Sequence, residues 1–148
     1  MSLRAFLAPL ALSAALFAQN HVCTVTAAGE SCGPQLTVTL IPQGDGGNND
    51  LTLVATGLNI RSAGGMVWGM HPMNSPVLPG SACMVLTDYV WGHAFQTDTT
   101  GSYTFSRSWP AWFNGYFFMQ MGSIDISKDG SSFDVRTTNC KLAQCMPQ

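Results

Sequence analysis

In Gln35–Leu36–Thr37–Val38–Thr39–Leu40–Ile41, Leu36, Val38 and Leu40 alternate with the hydroxylated Thr37 and Thr39. Successive side chains of an extended strand point to opposite faces, so this segment has one oily face and one wettable face. Pro42 closes it, a Gly/Asn/Asp-rich stretch over 43–50 follows, and the same leucine–threonine alternation resumes over 51–56. Two such runs separated by turn-forming residues predict an antiparallel hairpin.

Working outward, short β-favouring runs recur over 22–26, 65–70, 83–89, 102–107, 116–126 and 133–138. Within 116–126, alternation places Phe117, Met119 and Met121 on one face and Tyr116, Phe118 and Gln120 on the other. No stretch of useful length repeats its apolar residues at the helical period. The expectation is therefore an all-β chain: a single antiparallel β-sandwich of Ig-like or Greek-key type with about eight strands.

The chain begins with Arg4 as its only early charge, then runs apolar over 5–17 apart from Pro9 and Ser13. That is shorter than the roughly 20 residues a membrane-spanning helix needs. A charged start, an apolar middle and small residues before a polar boundary mark a secretory signal peptide, expected at 1–18 with cleavage after Ala18. The sandwich domain is then 19–148, with no transmembrane segment in the mature chain and a secreted, extracellular or cell-envelope location.

Arg4 falls in the leader, leaving five basic residues (Arg61, Arg107, Lys128, Arg136 and Lys141) against eight acidic ones, a net charge of −3. The five are scattered, whereas phosphate neutralisation needs them clustered, which argues against nucleic acid as a partner. Charged residues make up 9% of the chain, far below the ~25% of ordinary soluble domains. Serine, threonine, asparagine and glutamine must supply the wettable surface instead.

Five cysteines follow the leader: Cys23, Cys32, Cys83, Cys140 and Cys145. In an exported chain these are disulfide candidates, and an odd number leaves one thiol unpaired or shared with another molecule. Two local bridges, Cys23 with Cys32 and Cys140 with Cys145, form the simplest scheme and leave Cys83 free. A long-range bridge from Cys83 to the N-terminal segment is the alternative, since it would restrict the unfolded chain more. The odd cysteine also raises the prospect of a homo-oligomer or a covalent partner.

From residue 51 onward the order of motifs resembles a family of secreted bacterial β-sandwich modules whose function is not established. The residues carrying the resemblance are Leu51-Thr-Leu-Val-Ala-Thr-Gly57, the Leu78-Pro79-Gly80 turn before Cys83, Thr97-Asp98 through Gly101, Pro110, and Gly115-Tyr-Phe-Phe-Met-Gln120 with Asp125 beyond. It covers about 80 residues by pattern, and Thr138-Asn139 stands where the family carries Ser-Asn. The resemblance implies a secreted structural or binding module without established catalysis. It also implies that Cys83 pairs with Cys23 or Cys32.

Three constellations could carry chemistry. Asp125, Ser127 and Asp129, followed by Gly130, imitate the first half of a calcium loop. Arg136 stands where the second half needs a bidentate carboxylate, so a polar hairpin turn is expected, with calcium as the alternative and otherwise no cofactor. Met66, Met70, His71, Met73 and His93 offer soft copper ligands, but methionines beside a tryptophan more often fill gaps in a core. The aromatic stretch 109–118 makes Trp109 and Trp112, with Trp91, the candidate ligand-binding residues, because exposed indoles stack on sugar rings or anchor protein contacts.

Catalysis is not expected. The histidines are isolated, no Gly-x-Ser-x-Gly elbow is present, and nothing in the spacing makes Asp88 and Asp125 converge. The leading expectation is a non-catalytic structural or adhesive interaction module of the cell exterior, whose partner is an extracellular protein or polysaccharide. A carbohydrate-binding module and a small secreted hydrolase are the alternatives.

Overall fold

The computed structural model describes residues 21–41, 48–110 and 113–147. The expected signal peptide and Trp112 lie outside the described residues. Eleven strands are present in them, and none of these residues is helical: β1 (His21–Gly29), β2 (Gln35–Ile41), β3 (Asn49–Thr56), β4 (Ala63–Gly69), β5 (Pro72–Pro76), β6 (Met84–Thr87), β7 (Trp91–Gln96), β8 (Tyr103–Trp109), β9 (Gly115–Ile126), β10 (Phe133–Thr137) and β11 (Cys140–Pro147).

Pairing is antiparallel throughout and gives three sheets. The largest has the order β1-β11-β9-β4-β7, with β10 also on β9; the second is β2-β3-β8, and the third is β5-β6. The expectation of antiparallel all-β structure holds. The expectation of one sandwich of about eight strands does not, because β5, β7 and β11 add to the expected runs and β5-β6 stands as a sheet of its own.

The leucine–threonine alternation works as its periodicity requires. Leu36 faces Ala55, Val38 faces Leu53 and Leu40 faces Leu51 across the β2–β3 pair. Leu51, Leu53 and Ala55 are fully buried, and Thr37 and Thr39 face outward. Met66 and Trp68 of β4, Phe117, Met119 and Met121 of β9, and Ala143 of β11 complete the same apolar cluster. The two larger sheets therefore face each other across one core.

β9 is apolar on both faces because both are covered, as a strand buried on two sides must be. Phe117, Met119 and Met121 meet the core, and Phe118 and Gln120 point the other way, Gln120 towards the β5–β6 pair. Gln120 is 1% exposed and fully hydrogen-bonded. Its Oε1 accepts from the Leu86 amide at 2.9 Å, and its Nε2 donates to the carbonyls of Met84 and Thr138, both at 2.9 Å. This one amide fastens β6 to the outside of the large sheet.

Two disulfides are present, Cys23–Cys145 and Cys32–Cys83, and Cys140 is a free, buried thiol. The scheme of two local bridges with Cys83 free is thereby corrected. Cys140 and Cys145 lie five positions apart on β11, so they project from opposite faces with roughly 17 Å of strand between them. Cys145 instead sits directly opposite Cys23 on β1. The Cys32–Cys83 bridge is one of the two pairings that the family resemblance implies.

Candidate functional site

Two concavities are built on this frame, on different parts of the surface. The first lies on the outer face of the large sheet. In register, Gly65 of β4 faces Gly122 of β9 on one side and Ala94 of β7 on the other, while Val67 faces Gly92 and Gln120. Small residues at adjacent positions leave a depression instead of a pleated row of side chains. A side chain placed on Gly65 would project into open space, with nothing within 4 Å of its Cβ.

Val77, Leu78, Val85 and Tyr89, from β6 and the turns flanking the β5–β6 pair, wall this floor on one side, and Ile124 and Val135 continue it on the other. The resulting groove holds about 680 Å³. Among the described residues its lining carries no carboxylate, lysine or arginine. Beyond it the same face continues to Ile126 and Phe133, cross-strand partners that are 54% and 58% exposed.

The second concavity is an aromatic cleft of about 550 Å³ between the ends of β4, β7, β8 and β9. Trp68, 6% exposed, is its centre. The Trp109 ring lies parallel to it at 5.7 Å with an interplanar angle of 5°, and Trp91 meets it edge-on at 5.7 Å and 66°. Phe117 packs on Trp109 at 4.6 Å and Phe113 closes edge-on at 5.1 Å. The Arg107 guanidinium carbon lies 5.8 Å from the centre of the Trp91 ring. The fold thus brings Trp91 and Trp109 into one cleft around a third indole that sequence reasoning did not single out. Their planes are not those of a flat exposed row, since Trp68 is buried and Trp91 is steeply inclined to it.

Asp125, Ser127 and Asp129 fall on the β9–β10 hairpin. Asp129 Oδ1 accepts from the Ser127 hydroxyl at 2.6 Å, the Ser131 hydroxyl at 2.8 Å and the Ser131 amide at 3.1 Å. These bonds, the Ser127 hydroxyl foremost, hold its carboxyl down at about 2. Asp125 pairs in register with Asp134. The polar turn expected here is present, and among the described residues no three His, Cys, Asp or Glu side chains gather as metal ligands would.

The soft-ligand candidates disperse. Met66 is in the core, and His93 stacks beside Trp91 at 6.3 Å. His71 pairs through Nδ1 with Asp88 Oδ2 at 2.9 Å. Asp88 Oδ1 also accepts from the Met70 amide at 2.6 Å and the His71 amide at 2.9 Å. The backbone of His71 and then its ring hold the Asp88 carboxyl at about 2. Asp88 adjoins Gly69, which is paired with Phe118, so Asp125 lies seven residues farther along β9, roughly 23 Å away. These two carboxylates do not converge.

Sequence reasoning missed the outer groove. Its available signal was glycine inside β-favouring runs, at Gly65, Gly92 and Gly122, where a backbone approaches another group closely or a side chain must be absent. Among known proteins, no family model matches the chain, and no curated protein or solved structure shows significant similarity to it.

Proposed function

We propose that this chain is a secreted, non-catalytic interaction module of the cell exterior. In this reading it holds an uncharged, apolar segment of another extracellular protein against the outer face of its large sheet. The observation that carries the reading is the glycine-floored groove, open to solvent and continuous with the exposed Ile126 and Phe133. Apolar surface of this extent on a sheet face is characteristic of contact sites. A lining without acid, lysine or arginine favours an uncharged occupant.

An extended segment fits because this same face already accommodates one. The β5–β6 pair lies over Gln120, and the groove prolongs that floor beside it. The two disulfides agree with an oxidising compartment.

The reading is tested by selecting a phage-displayed random peptide library on the folded domain with both disulfides formed. Uncharged apolar peptides should be enriched, and they should bind at least tenfold more weakly to Gly65→Leu, which fills the floor. Enrichment of charged peptides, or binding indifferent to Gly65→Leu, would overturn it. Self-association seen in sedimentation and abolished by Gly65→Leu would make the occupant a second copy and equally overturn the assignment to a different protein.

A further inference from the structure

The aromatic cleft is separate from the outer groove and has a different chemistry. Among the described residues, Arg107 is the only ionised side chain in its lining. The indole Nε1 of Trp68 and that of Trp109 are both buried with no acceptor among the described residues. An unpaired buried donor is costly to a fold, so two beside one cleft set this region apart from the rest of the core. Apart from the Ser108 hydroxyl and the weakly accepting Met70 sulfur, the polar lining side chains among the described residues can only donate.

An exposed guanidinium beside flat apolar walls is complementary to a ligand that brings acceptors on an apolar ring. We propose that it binds a small carboxylate carried on a ring, with the carboxylate on the Arg107 guanidinium and the ring against the indoles of Trp91 and Trp109. The planar guanidinium offers a two-pronged donor that matches a carboxylate, and Trp91 holds it at the mouth of the cleft. The parallel Trp68–Trp109 pair supports the wall from behind. Aromatic acids and uronic-acid sugars share this chemistry.

Calorimetric titration of the folded, disulfide-bonded domain separates these sources. The probes are 2-naphthoate, its neutral counterpart 2-naphthamide, and a galacturonate trisaccharide. One acid should bind with a Kd below about 1 mM, and the amide at least tenfold more weakly than naphthoate if naphthoate is that acid. Arg107→Gln, at an exposed position, should weaken the acid about tenfold while leaving the near-ultraviolet tryptophan spectrum unchanged. Binding of the trisaccharide alone supports the proposal and identifies the ring as a sugar. Silence from both acids up to about 10 mM, equal binding of naphthoate and naphthamide, or an unaltered Kd in Arg107→Gln would overturn it. None of these outcomes depends on the outer groove, whose test uses peptides and Gly65.

Discussion

At the scale of single residues, Cys140 shows how burial decides what a thiol can do. It has no exposed surface, and desolvation pushes its thiol up to about 11, so it stays protonated near neutrality. The odd cysteine expected from the sequence is present as a free thiol, and its burial argues against its tethering a covalent partner. A thiol-specific reagent should therefore find almost nothing in the native protein and one thiol per chain in denaturant. Rapid labelling of the native protein would contradict this, as would two or more thiols in the unreduced, unfolded chain.

At the scale of elements, the β5–β6 pair is held by side-chain hydrogen bonds from outside it. Gln120 fastens β6, and Asp88 fastens the turn at Met70 and His71. The folded Asp88 carboxyl titrates at about 2, below its ordinary 3.8. A depressed carboxyl contributes stability that is fully present above the unfolded value and fades as pH falls through the folded one. Amide exchange in this pair should accelerate between about pH 4 and pH 2, and in Asp88→Asn the pair should be looser at pH 6 and lose that part of its acid response. Hydrogen exchange with mass-spectrometric detection checks both, and an unchanged β5–β6 segment in the variant would refute the assignment.

The same element shows where sequence reading fails. β5 begins and ends with proline and carries no apolar alternation, so a two-fold pattern cannot reveal it. β7, Trp-Gly-His-Ala-Phe-Gln, alternates rings with small residues, a pattern that makes sense only once its neighbours are known. By contrast, Leu36, Leu51 and Leu53 could be assigned to a buried face from spacing alone, and so could the two faces of β9. The site divides in the same way. Trp91 and Trp109 stand out by residue type, whereas the groove needs Gly65 beside Gly122, a register between residues 57 positions apart.

At the scale of the whole molecule, both disulfides join distant parts of the chain, with separations of 122 and 51 residues. In the chain-entropy account, the stabilisation grows with the logarithm of the loop closed, which makes the longer bridge worth about 0.8 kcal/mol more. Replacing Cys23 and Cys145 with alanine should lower the unfolding free energy by a few kcal/mol, and by more than replacing Cys32 and Cys83. Urea titrations of the two double variants measure the difference, and the reverse order would show that local strain or packing outweighs loop closure.

The Cys23–Cys145 bridge also determines how the domain meets a mechanical load. Its two cysteines are direct partners on adjacent strands near opposite ends of the chain, so tension applied from outside them passes from one strand to the other through a covalent bond. The sheets enclosed between them carry none of that pull. Only after reduction would the enclosed chain pay out, lengthening by up to about 3.6 Å for each residue released; while oxidised, the module behaves under tension as an inextensible link.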